Sequence, residues 1–280
     1  MTLGFFDGVH LGHLSLLKRL SELSKETGLP SVALTFDVRP SGRSVKLLTS
    51  LEERIGLLSS ALLDTVVVQS FTPGFASLDP FAFLRDVVRG KLRAKVVLAG
   101  YDCRFGKDRS GNIGTLKAFS SELDYFCEEE EPFLLDGRIV SSTLCRELLE
   151  KGELAKLQEF LGRPWSLRGP VKAGLKIGRE LGFPTANLGL EGLLTPPAGV
   201  YSARYDLEGK NGRALLYIGT RPTFQGKEKV AEAFLMDFSG DIYGRDLRIT
   251  PEKLMGGEKR FESPEELKAA IEGYVRAAGN

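Results

Sequence analysis

The sequence predicts an α/β domain with a doubly wound parallel sheet, followed by a small closed β-barrel domain that ends in a C-terminal helix. In the first half of the chain, short apolar runs alternate with helical patterns, as in a parallel sheet wound on both faces. Past residues 161–164 (LGRP), glycine becomes frequent, the apolar runs shorten and the alternation stops, which favours a barrel. With 280 residues available, we therefore predict two domains, 1–162 and 163–280.

Composition narrows the class of protein. The 38 basic and 37 acidic residues give a formal charge of +1, which argues against a broad surface for nucleic acid or membrane. No apolar run approaches the roughly 20 residues that a transmembrane helix needs. Three cysteines, Cys103, Cys127 and Cys145, show no metal-ligand spacing and follow no secretory segment. We expect a cytoplasmic protein whose partners are neither nucleic acid nor membrane, and in which any anion site is local.

Four apolar runs in the first half have the character of strands, and helical patterns separate them. The predicted strands are 2–6, 31–36, 66–68 and 95–100. The predicted helices run from the first histidine to Gly28, over 51–63, and onward from an Asp79-Pro80 start. Asp79 is expected to cap the last of these, because an aspartate oxygen can accept a backbone N–H of the first turn.

Ligands of a doubly wound sheet bind beyond the carboxyl ends of its strands. Three polar stretches occupy such positions: GFFDGVHLGH at 4–13, DVRP at 37–40 and GYDCRFGKDRSG at 100–111. They follow the first, second and fourth predicted strands, so we expect them at one edge of the sheet. The acidic run 128–131 is predicted to be a solvated loop.

The first of these loops contains the only two histidines of the chain, His10 and His13. A spacing of three places them on one face of the first helical turn, where free backbone amides favour an anion. Gly8 and Gly12 have no Cβ, so a ligand can approach the backbone closely. Histidines that are merely surface polar groups are the alternative. In the context of the other loops, this stretch predicts a phosphate site.

A further polar stretch, VSSTLCREL at 140–148, opens a helix. Capping of that helix by Ser142 or Thr143 is its simplest role. Beside a phosphate site, these hydroxyls and Arg146 would instead bind a polyphosphate, because a guanidinium suits fork-like contacts. We favour polyphosphate binding, since the first loop independently predicts an anion.

The second half predicts five strands and a final helix. The strands are 166–171, 200–205, 213–218, 230–238 and 246–250. Ser263 and Glu266 form a capping box around a proline at the first helical position, Pro264. An apolar face follows at Leu267, Ile271, Tyr274 and Val275.

Between the first two of these strands lies AGLKIGRELGFPTANLGL, residues 173–190. Its glycines recur every four residues, at Gly174, Gly178 and Gly182. Each would cost about 1 kcal/mol against alanine inside a helix, so we predict a loop that approaches a phosphate chain closely. The Thr185 hydroxyl and the Asn187 carbonyl are hard oxygen ligands of the kind that Mg²⁺ accepts.

A single carboxylate interrupts the apolar run VAEAFLMDF at 230–238. Glu232 in such a strand ordinarily lies on the solvent face of the alternation. The functional alternative is a general base, a role commonly worth about 10²–10⁴ in rate.

Together, GFFDGVHLGH, GYDCRFGKDRSG and VSSTLCREL resemble the adenylyltransferase half of the bacterial bifunctional riboflavin kinase/FMN adenylyltransferase family. The stretches LGRPWSLRGPV, LGFPTANL, PPAGVY, YIGTRPTF and IYGRDL, together with Glu232, resemble the riboflavin kinase half in the same order. The resemblance covers essentially the whole chain. It implies a Rossmann-like nucleotidyltransferase domain of the HxGH type, followed by a kinase barrel.

The resemblance also implies site residues. The implied catalytic residues are His10, His13, Arg146 and Glu232, with Glu232 accepting the proton of the ribityl hydroxyl, and the implied metal ligands are Thr185 and Asn187. The implied nucleotide- and flavin-binding residues are Phe6, Asp7, Gly8, Gly12, Asp102, Arg104, Phe105, Gly106, Ser141, Ser142, Thr143, Gly174, Gly178, Gly182 and Pro184.

The implied reactions are phosphorylation of riboflavin to FMN and adenylylation of FMN to FAD, with ATP as co-substrate and Mg²⁺ as cofactor. The chain differs from the family pattern at Arg39, where a histidine is usual, at Cys103, where a phenylalanine is usual, and at 256–257, where glycines replace an arginine. Two alternatives remain open: an HxGH adenylyltransferase with one activity, and a flavin-binding regulatory protein with a decayed site.

Overall fold

The computed structural model describes residues 1–40, 45–172, 182–223, 226–259 and 261–279. The chain forms two compact units. The first consists of Met1–Val45 with Leu51–Ser142, and the second of Lys46–Ser50 with Thr143–Asn280. Among the described residues, no helix is both long enough and apolar enough to cross a bilayer.

The first unit contains a parallel five-stranded sheet. Its strands are β1 (Thr2–Leu3), β2 (Val32–Phe36), β3 (Thr65–Gln69), β4 (Val96–Gly100) and β5 (Phe126–Glu130). The spatial order is β3-β2-β1-β4-β5, so the chain changes direction across the sheet between β1 and β4. In a doubly wound sheet, ligands bind at this switch point, beyond the carboxyl ends of the strands.

Helices connect these strands, and the hydrophobic pattern predicts three of them, those that begin at Leu11, Leu51 and Pro80. The helices are α1 (Leu11–Thr27), α2 (Leu51–Ser59), α3 (Pro73–Ala76), α4 (Pro80–Ala82) with a π-helical continuation over Phe83–Lys91, and α5 (Ile113–Ala118). Gly28 ends α1 with a left-handed φ of 68°. The carboxylate of Asp79 accepts the N–H of Ala82 at 2.9 Å, as expected of a cap. α2 ends before the predicted residue 63, and Leu62 beyond it has a φ of 56°.

Hydrophobic cores cover both faces of the sheet. On one face, Leu34, Val97 and Ala99 pack with the helix over 83–91. On the other, Ala33 and Leu98 pack with the buried leucines of α1. Successive residues of one strand thus point to opposite cores, which confirms the doubly wound prediction.

The prediction of a solvated loop at 128–131 is wrong over most of its length, because Glu128, Glu129 and Glu130 belong to the edge strand β5. Each carboxylate has a polar partner on a covering helix. Arg19 donates to Glu128 at 2.6 Å, and Lys117 to Glu129 at 2.6 Å. These contacts explain how an acidic run that reads as a loop can form a strand.

A small hairpin, β6 (Leu134–Leu135) with β7 (Arg138–Ile139), follows the sheet. Two helices come next, α6 (Ser142–Lys151) and α7 (Leu154–Leu161). Gly162, with a φ of 73°, ends α7 at the position where the sequence pattern changes.

The second unit contains an antiparallel six-stranded sheet. Its strands are β8 (Leu167–Pro170), β9 (Thr185–Leu188), β10 (Gly199–Leu207), β11 (Lys210–Thr223), β12 (Gly226–Leu235) and β13 (Asp246–Gly257), in the order β8-β13-β10-β11-β12-β9. Past β8, the N–H of Lys172 donates to the carbonyl of Asn187 in β9 at 2.8 Å. This bridge brings the two edges of the sheet together, so the predicted barrel is nearly closed.

Several strand boundaries in the second unit differ from the predictions. β11 extends beyond the predicted 213–218 at both ends, and β12 begins before residue 230 and ends before residue 238. Residues 185–188, predicted as part of a loop, form β9 because each of them pairs with a residue of β12. β13 continues well past residue 250, although it contains Pro251. The pairing of β13 with β10 shifts register beside this proline, since Ala203 pairs with Pro251 and Ser202 with Lys253, and such bulges tolerate a residue without an N–H.

The C-terminal helix, Pro264–Gly279, begins as predicted. The hydroxyl of Ser263 accepts the N–H of Glu266 at 3.2 Å. The carboxylate of Glu266 accepts the N–H of Glu262 at 3.1 Å, one residue before the capping-box position.

Candidate functional site

The loop between β1 and α1 has an unusual backbone. Phe6, Gly8 and Val9 have φ values of 56°, 80° and 39°. The N–H of Val9 donates to the carbonyl of Phe6 at 3.1 Å and closes the turn. For residues other than glycine, such conformations cost about 1–3 kcal/mol each and concentrate at functional sites. The fold therefore holds this loop in a strained conformation at the switch point of the sheet.

The two histidines pack against each other. His10 precedes the first turn as the N-cap of α1, and its Nδ1 accepts the N–H of His13 at 3.3 Å. Their rings stack at 3.6 Å between centroids, with 18° between the planes. Because Nδ1 of His10 is an acceptor, the neutral ring carries its proton on Nε2, where it is a donor. His10 lies one position before the predicted turn, and the spacing of three still places both rings together.

Phe6 and Gly12 support this histidine pair. The buried ring of Phe6 lies edge-on to His13, with 5.1 Å between centroids. A Cβ at Gly12 would lie 3.0 Å from the carbonyl oxygen of Val140 and 3.3 Å from the His10 ring. The missing Cβ of Gly12 thus gives the Val140 carbonyl and the His10 ring the space they occupy.

We expect Gly12→Ala to displace the His10 ring. The new methyl group meets a carbonyl oxygen and the imidazole at distances shorter than ordinary contact. A displacement of about 1 Å can lower a rate by two orders of magnitude, and we expect FAD formation from FMN to fall about tenfold or more. Steady-state rates measured by chromatography check this.

Gly273→Ala is the matched control, because a Cβ at Gly273 in the C-terminal helix meets no described atom within 4 Å. It should raise the free energy of unfolding by about 0.5–1 kcal/mol and leave FAD formation unchanged. Equal rates for both variants would show that the space at Gly12 does not position His10.

Ser142 joins the first loop to the VSST stretch. Its hydroxyl donates to the carbonyl oxygen of Asp7 at 3.0 Å. Asp7 itself is only 2% exposed. Ser141 precedes this contact in the first unit. Thr143 and Arg146 lie on α6, in the second unit.

The loop after β4 has exposed polar side chains and a buried aromatic ring. Asp102 and Arg104 are exposed, whereas Phe105 is buried in the core and packs 5.4 Å from the Phe83 ring. Gly106 has a φ of 70°, and a Cβ there would lie 2.9 Å from the nitrogen of Pro80. Burial raises the pKa of the Cys103 thiol to about 12, so this cysteine stays protonated. Phe105 and Gly106 therefore fix the loop, and Asp102 and Arg104 face solvent.

The loop after β2 contains an ionised carboxylate. Asp37 accepts the N–H groups of Phe71 at 2.9 Å and Val38 at 2.7 Å. The hydrogen bond from Phe71 is the main reason why the pKa of Asp37 is lowered. Arg39 is half-buried in the same loop. Because β1, β2 and β4 are parallel, the three predicted loops share one edge of the sheet.

In the barrel, three polar side chains lie in one row across neighbouring strands. Glu232 of β12 is opposite Asn187 of β9 on one side and Tyr217 of β11 on the other. The residues flanking Glu232, Ala231 and Ala233, point into the barrel and are buried. Glu232 therefore lies on the outer face, as the simpler alternative expected.

That outer face is covered by the C-terminal helix, so Glu232 does not face open solvent. A cavity of about 320 Å³ separates the two, and Phe234, Leu267, Ile271 and Tyr274 provide much of its apolar lining. Glu232 and Thr185 also line it, and the Thr185 hydroxyl donates to Oε2 of Glu232 at 3.4 Å. The arrangement places one carboxylate and one hydroxyl in a largely apolar pocket of ligand size.

Glu258, at the edge of this pocket, is hydrogen-bonded to strand β11. The hydroxyl of Tyr217 donates to Oε1 of Glu258 at 3.0 Å, and the N–H of Thr220 donates to the same oxygen at 3.2 Å. Burial, followed by the Glu258 carboxylate, raises the pKa of Tyr217 to about 12. Tyr217 is thus a donor at every ordinary pH and holds Glu258 at the edge of the cavity.

Two of the predicted glycines, Gly174 and Gly178, lie outside the described residues. Gly182 has a φ of 90°, and Pro184 leads directly into β9. Thr185 and Asn187 alternate with buried residues in that strand and share the outer face with Glu232. Among the described residues, no group of three or more His, Cys, Asp or Glu side chains could hold a metal ion.

Sequence reasoning did not find Tyr217, Glu258 or Arg54. Tyr217 lies beside Glu232 through the register of β11 against β12, which the local sequence pattern does not specify. Arg54 is fully buried on α2, and nothing in its local pattern distinguishes it from Glu52 of the same helix, which is exposed.

The first unit has a doubly wound sheet with a histidine pair at its switch point, and the second has a barrel with a covered carboxylate. These two features together define a class of two-domain protein. The family model described as FAD synthetase matches residues 1–144, and that described as riboflavin kinase matches residues 161–280. The chain belongs to the bifunctional riboflavin kinase/FMN adenylyltransferase family.

Two relatives and one solved structure illustrate the similarity. The bifunctional riboflavin kinase/FMN adenylyltransferase of Haemophilus influenzae is 34% identical over 99% of this chain and 92% of its own length. The Escherichia coli K12 protein of the same name is 35% identical over 97% and 88%. A crystal structure titled a macrolide-efflux protein from Streptococcus pneumoniae has a TM-score of 0.84 at 27% identity and covers 100% of this chain and 93% of that one.

Proposed function

We propose that this chain phosphorylates riboflavin to FMN in its barrel and then transfers the adenylyl group of a second ATP to FMN, which gives FAD and pyrophosphate. The observation that carries the proposal is the presence of both sites in one chain. A stacked histidine pair lies at the switch point of the sheet, and a carboxylate lies in the covered pocket of the barrel. Membership of the bifunctional family supports the pairing of these two activities.

In the kinase reaction, Glu232 acts as the general base. Its carboxylate lies in the pocket beneath the C-terminal helix, whose apolar walls suit a flavin ring. It accepts the proton of the ribityl hydroxyl while that oxygen attacks the γ-phosphate of ATP, and ADP leaves. The Thr185 hydroxyl, already bonded to Glu232, fixes the orientation of the carboxylate.

Thr185 and Asn187 are the proposed ligands of an ATP-bound Mg²⁺. Their hydroxyl and amide oxygens are hard donors on the same face as Glu232. Such a sparse set suits Mg²⁺, which keeps waters and takes further ligands from phosphates. When bound, the ion neutralises charge on the transferring phosphoryl group. Gly182 and Pro184, together with Gly174 and Gly178, are proposed to border the phosphate chain.

In the adenylyltransferase reaction, the FMN phosphate attacks the α-phosphate of ATP and pyrophosphate leaves. The nucleophile is already ionised, so no general base is required. His10 and His13 donate to the charge that builds on the transferred group and on the leaving pyrophosphate. Arg146 and the hydroxyls of the VSST stretch are proposed to bind the polyphosphate, and the exposed Asp102 and Arg104 to contact substrate.

The proposed functional division is 1–162 for FMN adenylyltransferase and 163–280 for riboflavin kinase. It differs from the compact units in assigning α6 and α7 to the first activity. We also propose that the enzyme works in the reducing cytoplasm, in keeping with its free thiols at Cys103, Cys127 and Cys145.

The proposal is tested by incubating the purified chain with riboflavin, ATP and Mg²⁺ and separating the flavins by chromatography over time. We expect FMN to rise first and FAD to follow. A folded protein that forms neither product would refute the bifunctional assignment. FMN without FAD would refute the adenylyltransferase half.

A further inference from the structure

Arg54 of α2 is a fully buried cation at the edge of the sheet where phosphates are proposed to bind. It is 0% exposed. Its Nη2 donates to the carbonyl of Phe36 at 2.6 Å, and its Cζ lies 3.9 Å from the centre of the Phe5 ring. In the part of the chain that the structure describes, its Nε and Nη1 are buried and have no hydrogen-bond partner.

Such a group is costly unless something compensates it. Burial of a charge without a partner is strongly unfavourable, and each unsatisfied N–H adds to that cost. Burial lowers the pKa of Arg54, whereas the negative charges of Asp7 and Asp37 oppose that change. A guanidinium remains protonated in proteins, so Arg54 stays a cation here.

The contacts of Arg54 place it where the loops after β1 and β2 begin. Phe5 and Asp7 belong to the loop between β1 and the histidines, and Phe36 and Asp37 mark the end of β2. Asp7 is buried, and Asp37 is held ionised by backbone N–H groups. The edge proposed to bind phosphates therefore also contains two carboxylates, whose charge would repel an anionic substrate.

We propose that Arg54 is a positioning residue for adenylyl transfer, which offsets the charge of Asp7 and Asp37 and so allows the switch-point loops to bind the phosphates of ATP and FMN. The inference rests on the proposed function of the first unit. Arg54 acts through the two loops and does not touch the substrate, because it is fully buried.

The test compares Arg54→Met with the unchanged full-length chain in FAD formation from supplied FMN and ATP. We expect kcat/KM to fall at least tenfold, mainly through higher KM values, and riboflavin phosphorylation to stay within twofold. The melting temperature should fall, because removing one member of a buried charged group leaves its partners uncompensated, so rates are compared at a temperature at which both proteins are folded. Arg54→Lys should recover part of the lost kcat/KM, since it keeps the charge.

Asp37→Asn provides a second, independent variant. The amide oxygen can still accept the N–H groups of Phe71 and Val38, but the negative charge is lost. Added to Arg54→Met, it should lower the raised KM values at least threefold. Arg89→Met is the matched control, because Arg89 also donates to a carbonyl, that of Ala94, but at the opposite end of β4. It should leave the KM values unchanged.

An unchanged KM in Arg54→Met would overturn the inference. So would a fall in rate that matches a fall in melting temperature, with no recovery from Arg54→Lys or Asp37→Asn, because that pattern indicates a purely structural arginine. If the unchanged chain itself forms no FAD, the proposed function fails instead, and the two failures are thus distinguishable.

Discussion

Glu232→Gln is expected to lower the rate of FMN formation from riboflavin by about 10²–10⁴-fold, the usual contribution of a general base. Glutamine has the same shape but cannot accept the ribityl proton. The Thr185 hydroxyl can still donate to the amide oxygen, so the pocket should keep its geometry. FAD formation from supplied FMN should be unchanged. Rates of both reactions, followed by chromatography of the flavins, check the prediction.

Glu252→Gln is the matched control for this change. Glu252 is also a glutamate on a barrel strand, but it is exposed and pairs with Arg204 at 2.7 Å. The control should leave both rates within about twofold, because exposed ion pairs contribute little. If Glu232→Gln phosphorylated riboflavin as fast as Glu252→Gln, Glu232 would not be the base.

His13→Ala is expected to lower FAD formation from FMN by about 10²–10³-fold, as removal of one well-aimed donor does in other enzymes. The change also removes the ring that stacks on His10 at 3.6 Å, so it loosens the second donor. FMN formation from riboflavin should be unchanged, because the kinase pocket is built from barrel strands and the C-terminal helix. Initial rates with each substrate supplied separately distinguish the two effects.

Lys18→Ala is the control on the same helix, since the Lys18 side chain is 80% exposed. It should change neither rate. Thermal unfolding of both variants establishes that the first unit is folded. Full adenylyltransferase activity in a folded His13→Ala protein would remove His13 from the mechanism.

Much of the fold could be predicted from local pattern. Apolar periodicity located four of the five strands of the parallel sheet and the helices that begin at Leu11, Leu51 and Pro80, and Gly28 and Asp79 marked helix ends because their backbone or capping chemistry is local. Pairing between distant strands was not readable in this way. The segment 185–188 becomes a strand only because β12 lies beside it, and the acidic run of β5 becomes a strand only because Arg19 and Lys117 cover it.

The candidate site was also predictable only in part. The spacing of three brought His10 and His13 together, and the alternation in β12 placed Glu232 on the outer face. The sequence did not predict that a helix about 30 residues further on would cover that face and form a pocket. Arg54 and Tyr217 were missed for the same reason, because their roles depend on contacts with residues far away in the chain.

The claim that the two reactions occur at two separate sites is tested most directly by mixing the Glu232→Gln and His13→Ala proteins. Each variant alone, given riboflavin, ATP and Mg²⁺, should form FAD about a hundredfold or more slowly than the unchanged chain: the first because it makes FMN slowly, the second because it adenylylates FMN slowly. The mixture should form FAD faster than either variant alone, because FMN released by the second variant is adenylylated by the first. A mixture that forms FAD no faster than the variants alone, although each protein keeps its own half-reaction, would contradict two independent sites linked by free FMN.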